Sequence, residues 1–90
     1  MRQAIVNEHA PTLALNALVW ILGDGARADR LLALTGLDAA ALRERLGDRA
    51  VLAATLQFLL ANEADLVACA QALDVRPEAL AAAFAELEVA

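Results

Sequence analysis

The sequence predicts an all-α protein, a compact orthogonal bundle of five to six short helices with the outline of two pseudo-repeated three-helix units. Three observations predict it. Alanine and leucine fill 42 of the 90 positions, and both are strong helix formers, while tyrosine is absent and β-branched residues are few. Breaks recur at Gly23-Asp24-Gly25, Thr35 to Asp38, Gly47-Asp48, Asn62 and Asp74 to Pro77. Between the breaks, apolar residues return at three- and four-residue spacing.

The first helix is expected over about 10–22, with Leu13, Ala14, Ala17, Leu18 and Ile21 on one stripe and Trp20 and Leu22 widening it. Pro11 suits a helix entrance, but Ala10 is a poor cap, so this start is weakly marked. The second, over 25–35, follows Asp24, whose carboxylate can accept from an orphan backbone N–H. Its stripe is Ala28, Leu31, Leu32 and Thr35, and Gly36 fits the left-handed residue past its end. The third, over 39–46, follows Asp38 and sets Leu42 one turn from Leu46, with Gly47 beyond. The fourth, over 49–61, follows Asp48 and carries Leu52, Leu56, Leu59 and Leu60, with Phe58 beside them. The fifth, over 63–73, follows Asn62 and carries Leu66, Ala70 and Leu73. Pro77 opens the sixth, over 77–88, at the position where its missing N–H costs nothing, and Leu80, Phe84 and Leu87 form its stripe. The first and fourth helices are apolar on most sides, as central helices are. Trp20 and Phe58 are therefore expected to meet in or near the core, and Trp20→Ala to cost roughly 3–5 kcal/mol. Residues 1–9 are expected to be a flexible N-terminus and 10–90 a single helical domain.

Sliding the chain over itself by 38 residues aligns the halves without a gap. Only five of 34 positions from 13 to 46 are identical, about what chance gives in so biased a composition. The pattern carries more than the identities do: Trp20 falls on Phe58, Asp24 on Asn62, Gly36 on Asp74 and Leu46 on Phe84.

Composition excludes several classes. The 61% hydrophobic content includes 24 alanines, and the 31 larger apolar residues left are enough for one core. No stretch reaches the ~20 apolar residues of a membrane span. The longest uncharged run, Ala10 to Gly23, holds 14 residues. Arg2, the apolar run Leu13 to Leu22 and Ala26-Arg27-Ala28 imitate a secretory signal, but Glu8 and Asp24 sit where such a signal tolerates no acid. The single cysteine, Cys69, cannot close an internal disulfide, which fits a reducing compartment, and a cytoplasmic location is expected.

Catalysis or metal binding needs convergent reactive groups. One His (His9) and one Cys (Cys69) lie far apart in sequence, and Gly23-Asp24-Gly25 is too short for a phosphate loop. No enzyme, cofactor or metal is expected. Cys69 is expected to be a buried, inert thiol, and Asn16 either faces solvent or bonds a neighbouring backbone group.

The stretch from Ala70 through Asp74 and Val75 to Leu80 has helix-turn-helix spacing. Its second helix, however, offers Glu78, Ala79, Ala81, Ala82, Ala85, Glu86 and Glu88, with only Arg76 nearby to meet phosphate. None of the side chains that read bases in pairs is there. The half from 50 to 90 carries one arginine against six acids, so the whole net charge of −5 lies in it. The better nucleic-acid candidate is the patch of Arg27, Arg30, Arg43, Arg45 and Arg49, although Asp29, Asp38, Glu44 and Asp48 interleave with it.

The order Leu18-Val19-Trp20-Ile21-Leu22, Leu31 to Asp38, Leu42-Arg43, Leu52, Phe58-Leu59-Leu60, Glu63 and Pro77-Glu78 resembles an alphaproteobacterial family, domain of unknown function 3572. The resemblance spans about residues 10–88. Leu31 stands where the family pattern favours an aromatic, and Arg76 where an aspartate is common. The resemblance implies a small helical cytoplasmic protein and brings no activity, ligand or catalytic residue.

The leading expectation is a non-enzymatic protein–protein interaction module, with an unidentified protein partner or self-association. Its candidate face is the flat run of Ala81, Ala82 and Ala85, and its acidic second half suits a basic partner. The alternative is a nucleic-acid-associated regulator using the five arginines of 27–49. A third reading, a carrier with a small molecule between helices, requires a cavity.

Overall fold

A computed structural model describes residues 2–88, with side chains over 10–88. Six helices follow in order: α1 (Arg2–Leu22), α2 (Gly25–Thr35), α3 (Ala39–Glu44), α4 (Arg49–Leu60), α5 (Glu63–Leu73) and α6 (Pro77–Glu88). There is no strand among the described residues. The all-α bundle is thus the observed fold.

Side-chain caps set most of the boundaries. Asp24 accepts from Arg27 N–H at 3.0 Å, Asp38 from Ala41 N–H at 2.7 Å, Asp48 from Ala50 N–H at 2.8 Å and Asn62 from Asp65 N–H at 3.2 Å. Each satisfies a backbone donor that the helix itself leaves free. Two boundaries differ from expectation by more than one residue. The backbone of α1 is helical from Arg2 and runs through Pro11, which removes one rung of the ladder but does not stop the helix here. The side chains of the segment expected to be flexible, 1–9, lie outside the described residues. Helix α3 stops at Glu44, because Arg45 leaves helical geometry at φ −113° and its N–H closes a tight turn on Leu42 O at 3.0 Å.

The 38-residue offset is reproduced in the backbone. Helix ends at Leu22 and Leu60, starts at Gly25 and Glu63, ends at Thr35 and Leu73, and starts at Ala39 and Pro77 all differ by that interval. The two helix-ending residues Gly36 (φ 74°) and Asp74 (φ 58°) are both left-handed. Packing follows the same relation: α2 lies against α1 and α4, and α5 lies against α4 and α1. Helix α6 breaks the correspondence. It has 12 residues where α3 has 6, and it packs against both α1 and α4.

Helices α1, α4 and α6 therefore make the centre, with α2 and α5 on its flanks. Leu18, Ile21, Leu31, Leu42, Leu56, Leu59 and Leu80 are fully buried or nearly so. Helices α4 and α5 meet at a bend of 113°, the crossed geometry that short connections impose. Among the described residues no single helix is long and apolar enough to cross a membrane.

Candidate interaction surface

The structure holds three of the five candidate arginines in contacts within the fold. The Arg27 guanidinium lies 3.7 Å from the centre of the Trp20 ring, with its Nε 4.0 Å from Asp24 Oδ2. Arg30 donates from Nη2 to Asp65 Oδ2 at 3.0 Å and stands 5.7 Å from the Phe58 ring centre. Arg49 donates from Nε to Leu87 O at 2.9 Å and from Nη2 to Glu86 O at 2.8 Å, so it caps the C-terminal carbonyls of α6. Arg43 and Arg45 are exposed on and just after α3, and neither has an ion pair among the described residues.

Phe58 is in the core as expected, but Trp20 is only partly buried at its edge. Each ring also presents a face to an arginine of α2, so a cation covers part of both aromatics. Cys69 is buried as expected, and burial pushes its thiol up to about 11, with Arg27 pulling it down and Asp65 pushing it up. Asn16 faces solvent. The His9 side chain lies outside the described residues. Among the described residues, no three His, Cys, Asp or Glu side chains converge to hold a metal ion.

The surface that sequence reasoning missed begins on α1. Leu15, Val19 and Leu22 lie one above another at i, i+4 and i+7, and they are 36%, 61% and 40% exposed. The opposite side of α1 supplies Leu13, Ala14, Ala17, Leu18 and Ile21 to the core. No residue from Ala10 to Gly23 is charged, so among the described side chains of α1 no charge stands beside the exposed stripe. Leu22 also lines a cavity of about 340 Å³ formed with Ala28, Leu32, Leu42, Leu46 and Arg43. Leu22 belongs to both, so the stripe runs up to the groove at that residue.

The residues 38 positions on explain why the groove is open. Leu66 stands where Ala28 does and Phe84 where Leu46 does, and both pack against the core. The first half has smaller side chains at those places. The candidate alanine face of α6 is also at the surface: Ala81, Ala82 and Ala85 are all exposed, beside the exposed Glu78, Glu86 and Glu88.

Residues 7–90 match the family described as "Protein of unknown function (DUF3572)". The chain belongs to this family. No curated protein matches it, and no solved structure does. The DUF3572 match takes in α2 to α6 entirely and all but the first residues of α1. It thus includes the stripe, the groove and the arginines of α2.

One signal for the stripe was present in the sequence. A helix apolar on most sides reads as central, but α1 has a wide inward face of its own, and Leu15, Val19 and Leu22 fall outside it. Surplus apolar residues at helical spacing, beyond those one core can use, were the sign.

Proposed function

We propose that this DUF3572 protein is a non-enzymatic protein-interaction module of the cytoplasm, and that it meets its partner through the α1 stripe and the adjoining groove. The observation that carries the reading is the continuity of Leu15, Val19 and Leu22 with the apolar groove. Contiguous apolar surface on a small protein marks a place where another surface sits. The alanine face of α6 is the lesser candidate, because small side chains give little apolar area to bury. The nucleic-acid reading loses support from the engagement of Arg27, Arg30 and Arg49 within the fold.

The test is affinity capture from a lysate of the source cells with the wild type and with Val19→Glu. Val19 is the most exposed residue of the stripe, so the charge leaves the fold intact while spoiling the surface. A protein retained by the wild type through nuclease treatment, and lost with Val19→Glu, supports the reading. Partners that disappear with nuclease, or that ignore Val19→Glu, overturn it.

A further inference from the structure

We infer that the occupant of this surface is an acidic amphipathic helix of a partner protein, seated along α1 with a carboxylate against Arg43. The inference rests on the interaction reading above and specifies its partner. Two features of the surface select this chemistry.

The first is shape. The stripe from Leu15 to Leu22 spans seven residue steps of helix, about 10 Å at 1.5 Å per residue, before the groove begins. An elongated apolar strip opening into a pocket matches a helix with anchors at i, i+4 and i+7 better than a compact molecule.

The second is charge. Among the described residues, Arg43 is the only charged one lining the groove, and no carboxylate lines it. Arg43 has no ion pair among the described residues, and Arg45, two residues on, has none either. Of the acids nearby in sequence, Asp24, Asp38 and Asp48 accept from backbone N–H groups at their own helix starts, and Asp29 is exposed on α2 but does not line the groove. Glu44 is exposed on α3 but does not line the groove. A partner covering the groove takes Arg43 partly out of water. An uncharged partner leaves that cation unpaired, whereas a carboxylate at the rim compensates it and steers approach.

The experiment is a selection of displayed peptides of about 16 residues, long enough to form a helix, against the full chain. Binders are then mapped by amide shifts in two-dimensional NMR. The expected peptides carry large apolar residues at i, i+4 and i+7 with Asp or Glu beside them, and they shift the end of α1, α2 and α3. Arg43→Glu, at an exposed position, is expected to weaken them by about tenfold or more and to favour versions with Lys in place of the acid. Ala28→Leu, which places at 28 the residue found 38 positions on, is expected to close the groove and abolish binding.

Peptides that bind in the groove with no acidic preference and ignore Arg43→Glu overturn the inference and leave the interaction reading standing. Peptides that map elsewhere overturn both. A dimer of the protein alone in sedimentation, dissociated by Val19→Glu, assigns the surface to a second copy and overturns the inference.

Discussion

Arg30 of α2 reaches Asp65 of α5 across 35 residues of sequence, with Nη2 3.0 Å from Oδ2 and the guanidinium over Phe58 of α4. The contact joins the two halves of the chain at their flanks. Asp65 is well covered, with 12% of its side chain exposed, while Arg30 is half-exposed. Water around Arg30 screens the pair, so its coupling is expected to be about 0.5–1 kcal/mol. Arg30→Ala is expected to cost more, about 1–2 kcal/mol, because it leaves a covered carboxylate without its donor and uncovers Phe58. A double-mutant cycle with Asp65→Ala in urea checks both values. A coupling of zero removes the pair from the forces that join the halves.

Arg49 has an opposite task, at the start of α4, of holding the last turn of α6. Its two donors meet the carbonyls of Glu86 and Leu87, which have no partner within their own helix. Arg49→Ala is expected to cost about 1 kcal/mol and to let the end of α6 fray. Amide exchange should therefore quicken in the last turn of α6 and stay unchanged in α5. Uniform quickening instead assigns the residue to global stability.

How much of this was legible in the sequence depends on the length scale. The caps Asp24, Asp38, Asp48 and Asn62 were readable because each acts on a backbone N–H two or three residues away. The core stripes were readable because helical spacing places them. The fates of the arginines were not. Arg27 finds Trp20 seven residues back, Arg30 finds Asp65 and Arg49 finds Leu87, and the last two contacts depend on how α2, α4, α5 and α6 cross. The run of mixed charge therefore resembled one basic surface with acids among it. The groove escaped for the same reason, since it is a difference in side-chain size between corresponding places, Ala28 against Leu66, visible only once α1, α2 and α3 are side by side.

The two left-handed helix ends give a paired test. Gly36 holds φ 74° with no Cβ to clash, and nothing lies within 4 Å of the place where one would be. Gly36→Ala is therefore a test of backbone strain alone, expected to cost about 1 kcal/mol. Asp74 holds φ 58° with a side chain. Asp74→Gly is expected to be neutral or to stabilise by a few tenths of a kcal/mol, strain relief being offset by the freedom glycine adds to the unfolded chain. Thermal unfolding of both variants measures the difference. Equal effects of the same sign contradict the shared role of the two positions.

Trp20 at the edge of the core changes the expectation for its removal. The ring is partly buried and covered on one face by Arg27. Trp20→Ala loses the buried part of the ring and the cation contact, about 3 kcal/mol, at the low end of the range for a fully buried tryptophan. It also leaves the Arg27 Nε, already buried without a hydrogen bond, with no ring beside it. Arg27→Met should keep the ring covered and cost less than Trp20→Ala. A urea midpoint for Trp20→Ala equal to that of the wild type removes Trp20 from the packing.

Cys69 gives the molecule a pH dependence whose sign follows from burial. Its thiol, held among α5 packing contacts, is raised from 9.0 to about 11, mainly because burial disfavours the thiolate. In the unfolded chain the thiol ionises near 9, while in the native state it keeps its proton until about 11. Between those values the native state binds more protons, so stability falls as pH rises from about 9 and the loss levels off above about 11. Below about 9 both states are protonated and the thiol contributes no dependence. Urea midpoints at pH 7, 9 and 10 are expected to drop over the last interval for the wild type. Cys69→Ala, less stable at every pH because of the cavity it leaves, is expected to drop less over that interval. Parallel curves for the two proteins place the titration on another group.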